Sequence, residues 1–213
     1  MFMADAEGKV VTVGVTGASG ALLAQAALRL LEADARVARV HLVVTEAGLR
    51  LLAHELGIVA PDAKQLPGLL LGGRATKIEL LPNKDVGASI ASGSYPVDAM
   101  VVIPCSMGTL ASIASGTSED LLCRAADVVL KEGRRLVLCI RDTPFNRVHL
   151  ENMLRAQQAG AVIMPAIPSY YHQPKTIDDL VAQYVYRVLA QMGLPQAQQY
   201  QWKGQGKGKA QQA

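Results

Sequence analysis

The sequence predicts an α/β fold in one domain, a doubly wound parallel β-sheet with helices on both faces. Three observations predict it. Short β-branched runs alternate with longer helical patterns, the arrangement that winds a parallel sheet. Two of those runs, Met100-Val101-Val102-Ile103 and Leu136-Val137-Leu138-Cys139-Ile140, are apolar at every position, as strands covered on both faces must be. And a chain of 213 residues, 50% of them apolar, has the size and the apolar content of one large α/β domain.

The elements follow in order. Strands are expected over residues 10–15, 40–44, 75–80, 99–104, 136–141 and 162–164. Helices are expected over 21–33, rich in Ala and Leu, and over 47–56, 106–115, 119–132, 148–158 and 177–192, the last stopped by Gly193 and Pro195. This alternation fits a Rossmann-like or flavodoxin-like sheet, which binds ligands at the carboxyl ends of its strands. The domain is expected to cover residues 1–195. From Gln196 the chain turns rich in Gln, Gly and Lys, so residues 196–213 are expected to form a flexible low-complexity tail, with Trp202 its only large apolar residue after Tyr200.

Composition excludes several classes. No run approaches the roughly 18 uninterrupted apolar residues of a membrane helix. The start of the chain carries Asp5 and Glu7 without a basic flank before an apolar stretch, unlike a signal peptide, so a cytoplasmic location is expected. Cys105, Cys123 and Cys139 lie far apart without CxxC spacing, which predicts neither a disulfide framework nor a zinc site. A net charge of +3, part of it from Lys203, Lys207 and Lys209 in the tail, is too small to argue for nucleic acid.

The chemistry should therefore sit just after the strands. Thr16-Gly17-Ala18-Ser19-Gly20 links a strand to an Ala-rich helix; glycines allow a close backbone approach, helix-start N–H groups attract phosphate, and Ser19 adds a hydroxyl. Its glycines, Gly14, Gly17 and Gly20, do not follow the G-x-G-x-x-G spacing. Thr45-Glu46 ends the second strand, where Thr45 is either a helix cap or a ligand contact. Pro104-Cys105-Ser106-Met107-Gly108-Thr109 repeats the logic of the first loop, with Cys105 read as a buried structural thiol. Arg141 and Asp142 set a cation beside a carboxylate, suited to phosphate binding and proton transfer, or to a local ion pair capping the next helix. Arg124 and Lys131, seven apart, share one helix face. Tyr171, with Arg187 on the closing helix, offers a grip for an anionic substrate. Tyr171 and Lys175 also make the Y-x-x-x-K of short-chain dehydrogenases, which works on a helix; Pro168 and Pro174 predict a loop instead.

Taken together, these segments resemble the flavin prenyltransferase family (UbiX-type), formerly described as aromatic-acid decarboxylase subunits, from about residue 10 to residue 194. The resemblance rests on residues 16–21, 91–94, 104–110, 124–131 and 141–144, on His149-Leu150-Glu151-Asn152-Met153, and on Tyr171-His172-Gln173-Pro174. It implies a flavodoxin-like fold, a homo-oligomer (often a dodecamer) with the active site between subunits, and metal-independent transfer of a dimethylallyl group from dimethylallyl monophosphate to N5 and C6 of reduced FMN. A partner decarboxylase would receive the prenylated FMN. By position, the resemblance gives Gly17, Ala18, Ser19, Thr45, Ser106, Met107, Gly108, Thr109 and Arg141 to FMN. It gives Lys131, Tyr171 and Arg187 to the prenyl phosphate, with Arg124 and Arg141 reaching it across a subunit boundary. Ser19 and Glu55 would lie near the reacting face of the flavin, and Asp142 would handle the phosphate's proton. The chain departs from the family at three places: Asp142 stands where Glu is usual, Val86 where a tryptophan lies near the prenyl group, and Glu46 where Lys is expected. Those departures leave open a homologue that binds or stores FMN without transferring a prenyl group.

Overall fold

The computed structural model describes residues 8–202. Six strands, β1 (Lys9–Val15), β2 (Val37–Val44), β3 (Ile78–Leu81), β4 (Ala99–Cys105), β5 (Arg135–Ile140) and β6 (Val162–Ile163), form one parallel sheet in the order β3-β2-β1-β4-β5-β6. Of the two doubly wound arrangements the sequence allowed, this is the Rossmann order rather than the flavodoxin order. Seven helices accompany it among the described residues: α1 (Ala21–Ala33), α2 (Glu46–Leu56), α3 (Leu66–Leu71), α4 (Met107–Ser115), α5 (Leu121–Lys131), α6 (Arg147–Gln158) and α7 (Ile177–Gln191).

The strand side chains alternate between two cores. Val11, Val13, Leu42, Val101, Ile103 and Val137 pack under α1, α2, α3 and α7. Met100, Val102, Leu136, Leu138 and Ile140 pack under α4, α5 and α6. Both faces are thus dry, and that is why the central strands carry apolar residues without alternation. In α1 the inward stripe is Ala21, Ala24, Ala27, Leu28 and Leu31, small at its start, so the helix lies close on the sheet.

Three boundaries that differ from expectation have a named cause, while β2 starts at Val37 rather than residue 40. The third strand starts at Ile78, not residue 75, because the N–H groups of Thr76 and Lys77 donate to the Glu32 carboxylate at 2.7 and 3.1 Å instead of joining the ladder. Ser106 and Asp120 lie outside α4 and α5 as their N-caps, Ser106 Oγ accepting from Thr109 N and Asp120 from Cys123 N. Helix α3, with Pro67 in its first turn, has no counterpart among the expected elements.

The part of the expected tail that the structure describes, residues 196–202, folds back beside α7. Tyr200 N donates to Gln183 Oε1 at 2.8 Å, and Gln183 Nε2 donates to Gln198 O at 3.1 Å. Residues 1–7, with Asp5 and Glu7, and residues 203–213, with Lys203, Lys207 and Lys209, lie outside the described residues. Among the described residues no helix is long and apolar enough to cross a membrane.

Candidate active site

The order of the sheet places its switch point between β1 and β4, and a crevice opens there at the carboxyl ends. Thr16, fully buried, joins its two walls. Its N–H and its hydroxyl both donate to Pro104 O, at 3.3 and 2.8 Å, while Oγ1 accepts from Ser106 N at 2.8 Å. The loops after β1 and β4 are thereby fixed to each other. Thr16 stands in the first-loop motif, but a strand-end threonine does not announce in the sequence which partners it will meet.

Glu55, at the end of α2, reaches back to the start of α1. Its carboxylate accepts from Gly20 N at 3.1 Å and from Ala21 N at 2.8 Å. Two of the helix-start donors expected to cradle a ligand phosphate, Gly20 N and Ala21 N, are therefore satisfied from within the chain. Partial burial pushes the Glu55 carboxyl up, but the Ser19 hydroxyl, those two N–H groups and the charge of Arg141 together outweigh it and hold the group below the usual carboxylate range. Gly17 also has a packing reason: a Cβ there would stand 2.5 Å from Ala47 Cβ, so the loop lies directly against α2. Gly20, at φ 127°, takes a backbone conformation that only glycine adopts readily. Ala18 is buried and Ser19 is exposed at the rim.

The open helix start in the crevice belongs to α4. Ser106 Oγ and Thr109 cap it, while the N–H groups of Met107 and Gly108 have no acceptor among the described residues. Beside it, Arg141 N donates to Cys105 O at 3.2 Å and its Nε to Ser19 O at 3.2 Å. That leaves the terminal guanidinium nitrogens free among the described residues. Arg141 thus lines its own chain's crevice. Asp142 is exposed, and its carboxylate accepts from Thr143 N at 2.8 Å. It does not cap the following helix; Asn146 caps α6. Thr45 caps α2 by accepting from Gly48 N at 3.0 Å. Cys105 is wholly buried, and burial pushes its thiol far up, so it is no nucleophile.

The other expected site residues lie elsewhere in the chain. Arg124 pairs with Asp127 at 2.7 Å and donates to Ala91 O, and Lys131 pairs with Glu132. Lys131 ends α5 just before Arg135, whose partner Ala99 begins β4, so it lies toward the amino ends of the strands, away from the crevice. Tyr171 and Arg187 line a separate cavity of about 430 Å³ by the β6 edge, together with Tyr200 and Trp202. Tyr171 and Lys175 both precede α7, so the dehydrogenase arrangement is absent. Val86 stands 51% exposed in the connection between β3 and β4. Among the described residues no cluster of three or more His, Cys, Asp or Glu is placed to hold a metal ion.

A family model described as Flavoprotein matches residues 3–189. The flavin prenyltransferase UbiX of Halalkalibacterium halodurans is 47% identical over 186 residues, 87% of this chain and 89% of the relative. The chain belongs to the flavin prenyltransferase family.

Solved structures agree with that membership. AnUbiX (PadA1), in complex with FMN and dimethylallyl pyrophosphate, is similar at a TM-score of 0.81 and 37% identity, covering 92% of this chain and 98% of its own. A dodecameric FMN-dependent UbiX-like decarboxylase from Escherichia coli O157:H7 is similar at a TM-score of 0.80 and 40% identity, covering 92% of this chain and all of its own. For a flavin prenyltransferase, the crevice has the right chemistry for FMN: N–H donors at α4 and terminal guanidinium nitrogens at Arg141, both open among the described residues, and hydroxyls at Ser19 and Thr109.

Proposed function

We propose that this chain joins the dimethylallyl group of dimethylallyl monophosphate to N5 and C6 of reduced FMN, and supplies the prenylated FMN to a partner decarboxylase. The observation that carries the reading is the crevice stitched by Thr16, where Arg141 donates to Ser19 O and the start of α4 is open among the described residues. FMN is the flavin of this site, and when bound in reduced form it supplies the nucleophilic positions.

The chain's own residues then do three things. Arg141, Met107, Gly108 and Thr109 hold the polar groups of the flavin, alongside Gly17, Ala18, Ser19 and Thr45. Lys131, Tyr171 and Arg187, with Arg124, hold the phosphate of the prenyl donor and offset the charge it gains as the allylic C–O bond breaks. Asp142 exchanges a proton with that phosphate. In one chain these groups stand apart, and a homo-oligomer that sets the α5 cations and the β6-edge cavity against a neighbour's crevice unites them. A dodecamer, as in the Escherichia coli relative, is the arrangement we assign. The location we assign is cytoplasmic, with neither nucleic acid nor membrane as partner.

The test is direct. Purified protein given FMN, a reductant and dimethylallyl monophosphate should yield flavin carrying one added prenyl mass by mass spectrometry. The exposed Val86 and the short Asp142 favour one rival, a homologue that binds or stores FMN. Flavin retained without added mass, where a known family member turns over, would establish that rival.

A further inference from the structure

Between β3 and β4 the chain turns at residues 91–95, and α5 holds that turn by its backbone. Arg124 Nε donates to Ala91 O at 3.2 Å. Arg134, just past the helix, donates from Nη1 to Tyr95 O at 2.9 Å and from Nη2 to Gly93 O at 2.8 Å. Gly93 lies directly against the Lys131–Glu132 pair: a Cβ on it would stand 2.6 Å from Lys131 Nζ and would also meet Glu132 Oε1. Arg124 and Lys131, the two α5 cations assigned to the donor phosphate, therefore both rest on this one turn.

A buried ring on the sheet holds the same turn from its other side. His41 of β2 is 1% exposed, and its Nε2 meets the Tyr95 hydroxyl at 2.9 Å, the two rings standing edge to face. Its Nδ1 has no hydrogen-bond partner among the described residues but lies 3.5 Å from the Glu79 carboxylate on the neighbouring strand. Burial, opposed by Glu79 and aided by Arg39, holds the ring below the usual imidazole range, so it is neutral at pH 7. The Glu79 charge favours the single proton on Nδ1, which leaves Nε2 to accept from the Tyr95 O–H.

A leucine at residue 41 would bury the same face of β2 with no polar atom to satisfy. What the imidazole adds is a directed bond that fixes where Tyr95, and with it the turn, must lie. We propose that His41 is a positioning residue for prenyl transfer: through Tyr95 it places the 91–95 turn, and through the turn it places Arg124 and Lys131 against the donor phosphate. The proposal rests on the reading above that these two cations meet that phosphate.

Tyr95→Phe keeps the ring and removes only the hydroxyl. With saturating reduced FMN, the full-length variant should show a KM for dimethylallyl monophosphate raised about fivefold, with kcat and FMN affinity within about twofold of wild type. His41→Leu should match it, and His41→Gln, which returns an amide near the place of Nε2, should recover most of the loss. Gly93→Ala is the direct comparison. Its Cβ pushes on the movable end of Lys131, so the same rise in KM is expected with an unchanged urea midpoint. A purely structural role for His41 would lower the folded fraction, and with it the apparent kcat, at constant KM. That result would overturn the proposal, as would an unchanged KM in Tyr95→Phe, whatever Gly93→Ala does. Should the wild type make no prenylated flavin, the transfer reading fails by mass spectrometry, and calorimetric titration of FMN-loaded protein with dimethylallyl monophosphate decides this one. Weaker binding in Tyr95→Phe than in wild type sustains it, and equal binding or none ends it.

Discussion

The Glu55 carboxylate lies 2.8 Å from the Ala21 backbone nitrogen and closes the amino end of α1 from another helix. A helix start beside a ligand crevice would draw any anion, and here the chain provides its own. Those two α1 donors are thus taken, while the N–H groups of Met107 and Gly108 and the terminal nitrogens of Arg141 stay open among the described residues.

The first prediction follows from that contact. Glu55→Ala should destabilise the fold by about 1 kcal/mol, the usual cost of a lost cap, read as a lower urea midpoint. The Glu55 carboxyl is held below its unfolded value, so its contribution is complete above the unfolded carboxylate pKa and is lost as pH falls through the folded one. The stability gap between wild type and Glu55→Gln should therefore be widest near neutral pH and close on acidification. A gap independent of pH would remove the charge from the argument.

Thr16 is predicted to position the crevice. Thr16→Val keeps the shape but leaves Pro104 O without the hydroxyl and Ser106 N without an acceptor in a buried place. A cost of about 1–3 kcal/mol is expected, together with weaker FMN binding, because the loops after β1 and β4 lose their stitch. Chemical denaturation and FMN fluorescence quenching measure the two effects separately. Unchanged FMN affinity in a destabilised variant would confine Thr16 to the core.

Arg141→Ala should weaken FMN by about tenfold to a hundredfold, the worth of a hydrogen bond to a charged group. Arg141→Lys should recover only part of this, since the Nε bond to Ser19 O and the free terminal nitrogens come from one planar group. A titration that shows wild-type affinity in both variants would leave α4 alone as the anchor.

The fold was legible because it is written in local patterns. Apolar runs at 99–104 and 136–141 give the central strands, and the caps Ser106 and Asp120 account for the starts of α4 and α5. Apart from the short helix α3, the misses are mostly long-range. The third strand is shortened by Glu32, more than forty positions away. The crevice residues were readable as a set, since strand ends in such sheets converge, yet Glu55 filling the α1 start is a contact no spacing rule encodes. Gly17 suits close ligand approach by sequence, and the structure adds its packing against Ala47. The tail composition suggested flexibility, while its aromatic pair finds partners at Tyr171 and His172 that only the folded chain brings near.

Asp142→Glu is predicted to raise the transfer rate. In the structure the Asp142 carboxylate turns back to its own chain, accepting from Thr143 N at 2.8 Å, and so stands close to the backbone rather than out over the crevice. One more methylene would carry the carboxylate about 1.5 Å further from that backbone, a distance to which proton transfer is sensitive. The expected result is a higher kcat with KM for the prenyl donor and FMN affinity unchanged, because Asp142 is assigned the phosphate's proton and no share of binding. A rate equal to or below the wild type would mean that the local backbone already places the shorter acid correctly. A change in KM instead of kcat would reassign residue 142 to donor binding, beside the cations.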